Sequence, residues 1–142
     1  MIKQVIYDYL SKDTELKSFL GENPFALFLN SNKFNYKNIP QVIYYTTAPQ
    51  MQSQEESLFY QDFTFEVYAD NAVNGTKILA RLLELMSLFT KANVLIKTDK
   101  DNLIVRAVWL QSSRYESTFR LDEKIKYTNA MVFRVLYTWI KV

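Results

Sequence analysis

Residues 58–69 read LFYQDFTFEVYA, and the reading of this stretch decides the fold. Phe59, Phe63 and Phe65 fall in one alternating register and Tyr60 and Tyr68 in the other, so a strand here carries rings on both faces. The strand runs without a gap into NAVNGTKILARLLELMSLFTKAN, where the apolar period lengthens to that of a helix. The helix starts near Asn71 or Asn74, either of which can cap its first free N–H groups. Its polar stripe, Lys77, Arg81, Glu84 and Lys91, is narrow. Ile78, Leu79, Leu82, Leu83, Leu85, Met86, Leu88 and Phe89 cover most of the remaining circumference, more than one sheet contact requires.

Toward the N-terminus, Ile2, Val5, Ile6, Tyr9 and Leu10 fall at helical spacing. Leu16, Phe19 and Leu20 resume the pattern after Asp13, which can cap a second short helix that Gly21 ends. The Asn-rich segment 21–39 reads as irregular apart from a short strand at Phe25–Leu29, and Pro40 opens a strand over Val42–Thr47. Residues 48–57, APQMQSQEES, lack apolar periodicity and read as a long loop.

Toward the C-terminus, Val94–Lys97 and Leu103–Gln111 are joined by TDKDN, which has the turn chemistry of a hairpin. The polar stretch 112–128, SSRYESTFRLDEKIKYT, reads as a second long loop or an extended arm. In the closing strand, Asn129–Lys141, both faces are largely apolar, which suits the middle of a sheet or an interface. The order predicts an α+β fold: one domain over 1–142, a mostly antiparallel sheet of about four to five strands, and helices packed on one face. The apolar surface left over on the two long strands and the main helix calls for either a second layer or a neighbouring copy of the chain as its cover, and the neighbouring copy is the favoured reading.

Composition removes most chemistry. The 142 residues include no His, no Cys and only two Gly. Triads built on His, HExxH sites, cysteine zinc sites and glycine-rich phosphate loops are therefore excluded, and neither an enzyme, a metal nor a cofactor is expected. A net charge of +2 implies no strong field toward nucleic acid or anionic lipid. The N-terminus lacks the apolar core of a signal peptide and no apolar run reaches the length of a membrane span, so a cytoplasmic protein without a membrane partner is expected.

The remaining polar groups have plain readings. Asp99 and Asp101 belong to a hairpin turn, because a calcium loop starting there would place Ile104 and Leu110 where Gly and an acid are needed. Glu55–Glu56 and Asp122–Glu123 are neighbours that point apart and do not converge for acid/base work. Lys33, Phe34, Tyr36 and Lys37, with Arg114, Arg120, Lys124 and Lys126, form a short basic and aromatic set, the basis of an alternative reading as a single-stranded nucleic-acid module.

A short helix pair, the strand IPQVIYY, a polar loop, FEVYAD running into an amphipathic helix, and the closing AMVFRVLYTWIKV together resemble the tail-completion proteins of long-tailed bacteriophages, tail terminators and head-to-tail joining proteins. The resemblance covers essentially the whole chain, and FEVYADNAVNGTKILARLLELM is its most telling segment. It implies a non-catalytic virion protein that forms a hexameric ring on the head-proximal end of the tail tube, ends tube polymerisation and meets the head connector. DNA would pass through the ring without sequence-specific binding, and assembly would take place in the host cytoplasm. A head-closure or neck protein is the nearest alternative. On this reading Met51, Gln52, Glu55, Arg114, Tyr115 and Arg120 are the candidate contacts with tube and connector. Tyr60, Tyr68, Leu85, Leu88 and Arg134 are the candidate contacts between subunits.

Overall fold

The computed structural model describes residues 2–21, 27–28, 39–91, 95–97, 101–113, 117–121 and 124–141. Two helices open the chain, α1 (Ile2–Ser11) and α2 (Thr14–Phe19). Between them Asp13 is extended, and its carboxylate accepts the Leu16 N–H at 2.8 Å, so the expected cap does start α2. Gly21 follows at φ 72°, a left-handed conformation that costs a glycine nothing.

The strands β1 (Leu27–Phe28), β2 (Gln41–Thr46), β3 (Gln50–Ser53) and β4 (Leu58–Ala69) come next. Helix α3 (Ala72–Lys91) then begins on Asn71, whose side-chain carbonyl accepts the Asn74 N–H at 2.8 Å. The chain closes with β5 (Leu95–Lys97), β6 (Asp101–Ser113), β7 (Ser117–Leu121) and β8 (Lys124–Lys141). All the strands join one sheet, whose body is the antiparallel set β2, β4, β8 and β6. Short β1 lies parallel on β2, and β5 edges β6. β3 pairs with the start of β4 beyond the reach of β2, and β7 pairs with the start of β8 beyond the reach of β6. β8 lies between β4 and β6, which accounts for its two apolar faces.

One register of β4 and β8 builds the core. Phe63, Phe65 and Val67 align with Phe133, Met131 and Asn129, and with Val42 and Tyr44 of β2 they face the helices. Ile6, Leu10, Leu16, Ile78, Leu82, Met86 and Phe89 complete that layer. Phe65 stacks on Tyr44 at 5.4 Å between centroids and meets Phe133 edge-on at 5.8 Å. The α+β architecture with helices on one face is thus the one read from the sequence.

Several local readings change. Residues 48–57 are a hairpin and not a loop: β3 pairs with β4, and the turn closes through Ser57 at φ 51°. Backbone pairing needs no apolar side chain, so the polar strand QMQS leaves no periodic trace. Of the two readings of 112–128, the extended arm is the one seen, β7 pairing with the early part of β8, while 114–116 and 122–123 lie outside the described residues. Of the expected strand Phe25–Leu29, Leu27–Phe28 is seen; its other residues, and the basic and aromatic set at 33–37, lie outside the described residues. Part of the wide apolar arc of α3 is used within the chain, where Leu85 and Phe89 face α1.

Candidate interaction surfaces

The second register of the long strands forms a face on which no helix lies among the described residues. Arg134 of β8 sits opposite Asp62 of β4, and the pair is bidentate, with Nε to Oδ1 at 2.8 Å and Nη2 to Oδ2 at 3.0 Å. The guanidinium lies 4.3 Å from the centroid of the Tyr60 ring. Hydrogen bonding to Asp62 raises the Arg134 pKa, so this group is held charged. Farther along, the Glu66 carboxylate accepts the Tyr45 hydroxyl at 3.0 Å and the Tyr68 hydroxyl at 2.9 Å.

Across Arg134, on β6, stands Trp109, 41% exposed, its indole N–H donated to Gln111 Oε1 at 3.1 Å. β6 is bulged on either side of Trp109, with Arg106 and Gln111 as the unpaired residues. Arg106 is exposed, donates from Nε to Thr138 Oγ1 at 3.0 Å, and forms no ion pair among the described residues.

On the helix side a groove of about 460 Å³ runs between α1 and α3, lined by Val5, Asp8, Tyr9, Lys12, Leu85 and Phe89. The Tyr9 hydroxyl donates to the Leu85 carbonyl at 2.8 Å and its ring tilts against Phe89 at 5.0 Å, so the floor is fixed. At one end Arg81 gathers three carboxylates: Asp13 at 2.6 Å, Glu84 at 3.0 Å and Glu15 at 3.3 Å. The bond from Arg81 holds the Asp13 carboxyl below the usual range, and the Arg81 pKa is raised in return.

The β3–β4 and β7–β8 hairpins stand at opposite ends of the β4–β8 pair. Leu58 faces Thr138 at the end of the β3–β4 turn, where Ser57 accepts the Trp139 N–H, and Ala69 faces Tyr127 at the end where β7 pairs with β8. At the usual rise per strand residue Thr138 and Lys124 are about 45 Å apart along β8. Met51 (57% exposed), Gln52 and Glu55 share the first hairpin. Arg120 lies on β7 in register with Ile125, whereas Arg114 and Tyr115 lie outside the described residues.

Among the expected subunit contacts, Tyr60, Tyr68 and Arg134 do share the uncovered sheet face, and Leu88 is exposed on α3. Leu85 is not on the surface: at 5% exposure it belongs to the chain's own core, because the turn of α3 that carries it faces α1. Lys126, counted in the basic set, is engaged by the Asp70 carboxylate. Reasoning from the sequence missed the Arg81 cluster and the Trp109–Arg106 patch. The first had a signal in the Asp13 cap, but the second follows a bulge that no periodicity announces.

Among the described residues no group of three His, Cys, Asp or Glu side chains is placed to hold a metal, and no helix is long and apolar enough to cross a membrane. No protein-family model and no curated protein matches the sequence. Among solved structures the fold is similar to a chain from the virion of a native gene transfer agent (GTA) particle. The TM-score is 0.58 at 12% identity, over 96% of this chain and 92% of that one. At that identity the likeness is one of fold.

Proposed function

We propose that this chain is a structural virion protein that forms a hexameric ring at the head-proximal end of a phage tail tube, ends tube polymerisation and joins the tail to the head connector. The observation that carries the reading is the end-to-end match of fold with a chain of a GTA virion, 96% of this chain being covered. The surfaces support it. A joining ring needs two unlike ends, and the β3–β4 and β7–β8 hairpins lie at opposite ends of the central strand pair. It also needs two different lateral patches, since head-to-tail contacts close a ring only when unlike surfaces meet. The uncovered sheet face and the α1–α3 groove are two such patches. On this reading the protein works without catalysis or cofactor, resides in the virion at the head–tail interface, and lets DNA through without reading its sequence.

The test is electron microscopy of the lysate of a phage whose copy of this gene carries an early stop codon. Full heads beside unattached tails, above all tails of uncontrolled length, are the expected result. Leaking heads beside tails of normal length would move the role to head closure, and intact virions would refute both.

A further inference from the structure

The two patches are complementary in chemistry: an indole and an unneutralised guanidinium on one, an aromatic floor and carboxylates on the other. On the sheet face Trp109 offers an exposed indole, backed by Arg134, which Asp62 and Tyr60 hold in place. Beside it Arg106 carries a charge that no carboxylate among the described residues neutralises. The helix-side groove has an aromatic floor of Tyr9 and Phe89 and leads to Asp13, Glu15 and Glu84, three carboxylates around the single guanidinium of Arg81. That end of the groove keeps a negative excess, since Asp8 and Lys12 along its wall cancel. Within one chain the patches cannot meet, because the sheet stands between them.

We infer that Trp109 of one copy seats in the α1–α3 groove of the next, with its Arg106 facing the neighbour's Asp13, Glu15 and Glu84. The inference rests on the ring reading and names its subunit contact. Trp and Arg are the side chains that most often dominate an interface, and a groove with an apolar floor and a charged end suits an indole followed by a guanidinium. The contact joins unlike surfaces and so passes from copy to copy around a ring. Met51, more exposed than Trp109, sits on a hairpin that carries Glu55 and Glu56 and would meet the acidic end of the groove with like charge.

The chain has no cysteine, so introduced thiols report one contact at a time. Lys12→Cys chains and Ser112→Cys chains, one of them tagged, are mixed and oxidised both as concentrated protein and in assembled particles. Lys12 lies on the groove wall and Ser112 is exposed on β6 just past Trp109. The expected product joins the two chain types in preference to either with itself. Adding Trp109→Ala or Arg106→Glu to the Ser112→Cys chain should lower its yield roughly tenfold or more without moving the thermal midpoint. Joining of like with like, no joining in either setting, or a yield indifferent to Trp109→Ala overturns the contact. Rings that form without this disulfide would overturn the contact alone, whereas intact virions from the stop-codon phage would overturn the ring reading itself.

Discussion

Arg81 shows how one side chain holds the helix layer together. It is only 18% exposed and reaches from α3 to the cap of α2, so its removal leaves Asp13 with a desolvated and unpaired carboxylate. Arg81→Met should lower stability by about 1–3 kcal/mol in urea unfolding. The pH dependence has a definite sign. Asp13 titrates below its ordinary value in the folded chain, so its stabilisation is present above about pH 4 and is lost as pH falls through the lowered pKa. In Arg81→Met this acid loss should flatten, and an unchanged slope would count against the pairing. Tyrosines give the opposite limb. Burial pushes Tyr137 up to about 12 and raises Tyr44 as well, so their contribution is intact below pH 10 and lost as pH rises beyond it. Burial raises Tyr9 too, so phenolate absorbance should show Tyr9, Tyr44 and Tyr137 titrating late and ionising together with unfolding. From the sequence Arg81 was legible only as part of a polar stripe, because its partner lies 68 residues away. Non-local pairing leaves no mark on local spacing.

Elements whose cause is local were legible, and elements whose cause is pairing were not. The two ends of α2 were read from Asp13 and Gly21 because capping is a matter of a few adjacent residues. Gly21→Ala tests this: an added Cβ would meet nothing within 4 Å among the described residues, so the cost expected is left-handed backbone strain, about 1 kcal/mol in thermal unfolding. A larger loss would mean that space and not conformation decides there. The junction of β4 with α3 works differently. Gly75 is buried in the first turn of α3, and a Cβ there would lie 3.4 Å from that of Ala69 and 3.7 Å from the Asn129 side-chain nitrogen. Gly75→Ala should be tolerated, whereas Gly75→Leu should force helix and strand apart and cost about 1–3 kcal/mol by overpacking. In the sequence NGT looked like a helix start and no more. The closeness of α3 to β4 and β8 comes from the sheet pairing, as do the polar strands β3 and β7. The same holds for the candidate contacts. Tyr60, Tyr68 and Arg134 followed from strict alternation, while Leu85 went astray because a helix arc does not say which part another helix will cover.

At the scale of the molecule, one long strand pair separates the β3–β4 hairpin from the β7–β8 hairpin, and the proposed joining role would give each end its own partner. Met51, Gln52 and Glu55 are exposed on β3 and the turn after it, and residues 50–57 contribute no side chain to the core cluster. Met51→Ala with Gln52→Ala should therefore leave the thermal midpoint within a few degrees, surface changes away from special features being worth about 0.5 kcal/mol or less. Arg114→Ala with Arg120→Ala tests the opposite end, where Arg120 lies on β7 and Arg114 precedes that strand in the sequence. If the two ends serve two partners, the two double variants must fail differently. One should give tails of uncontrolled length, as a lost tube contact would, and the other tails of normal length without heads, as a lost connector contact would. Micrographs of the two lysates then assign each end its partner. Identical defects would deny the division of labour between the ends, and normal particles from both variants would remove the hairpins from the joining reaction.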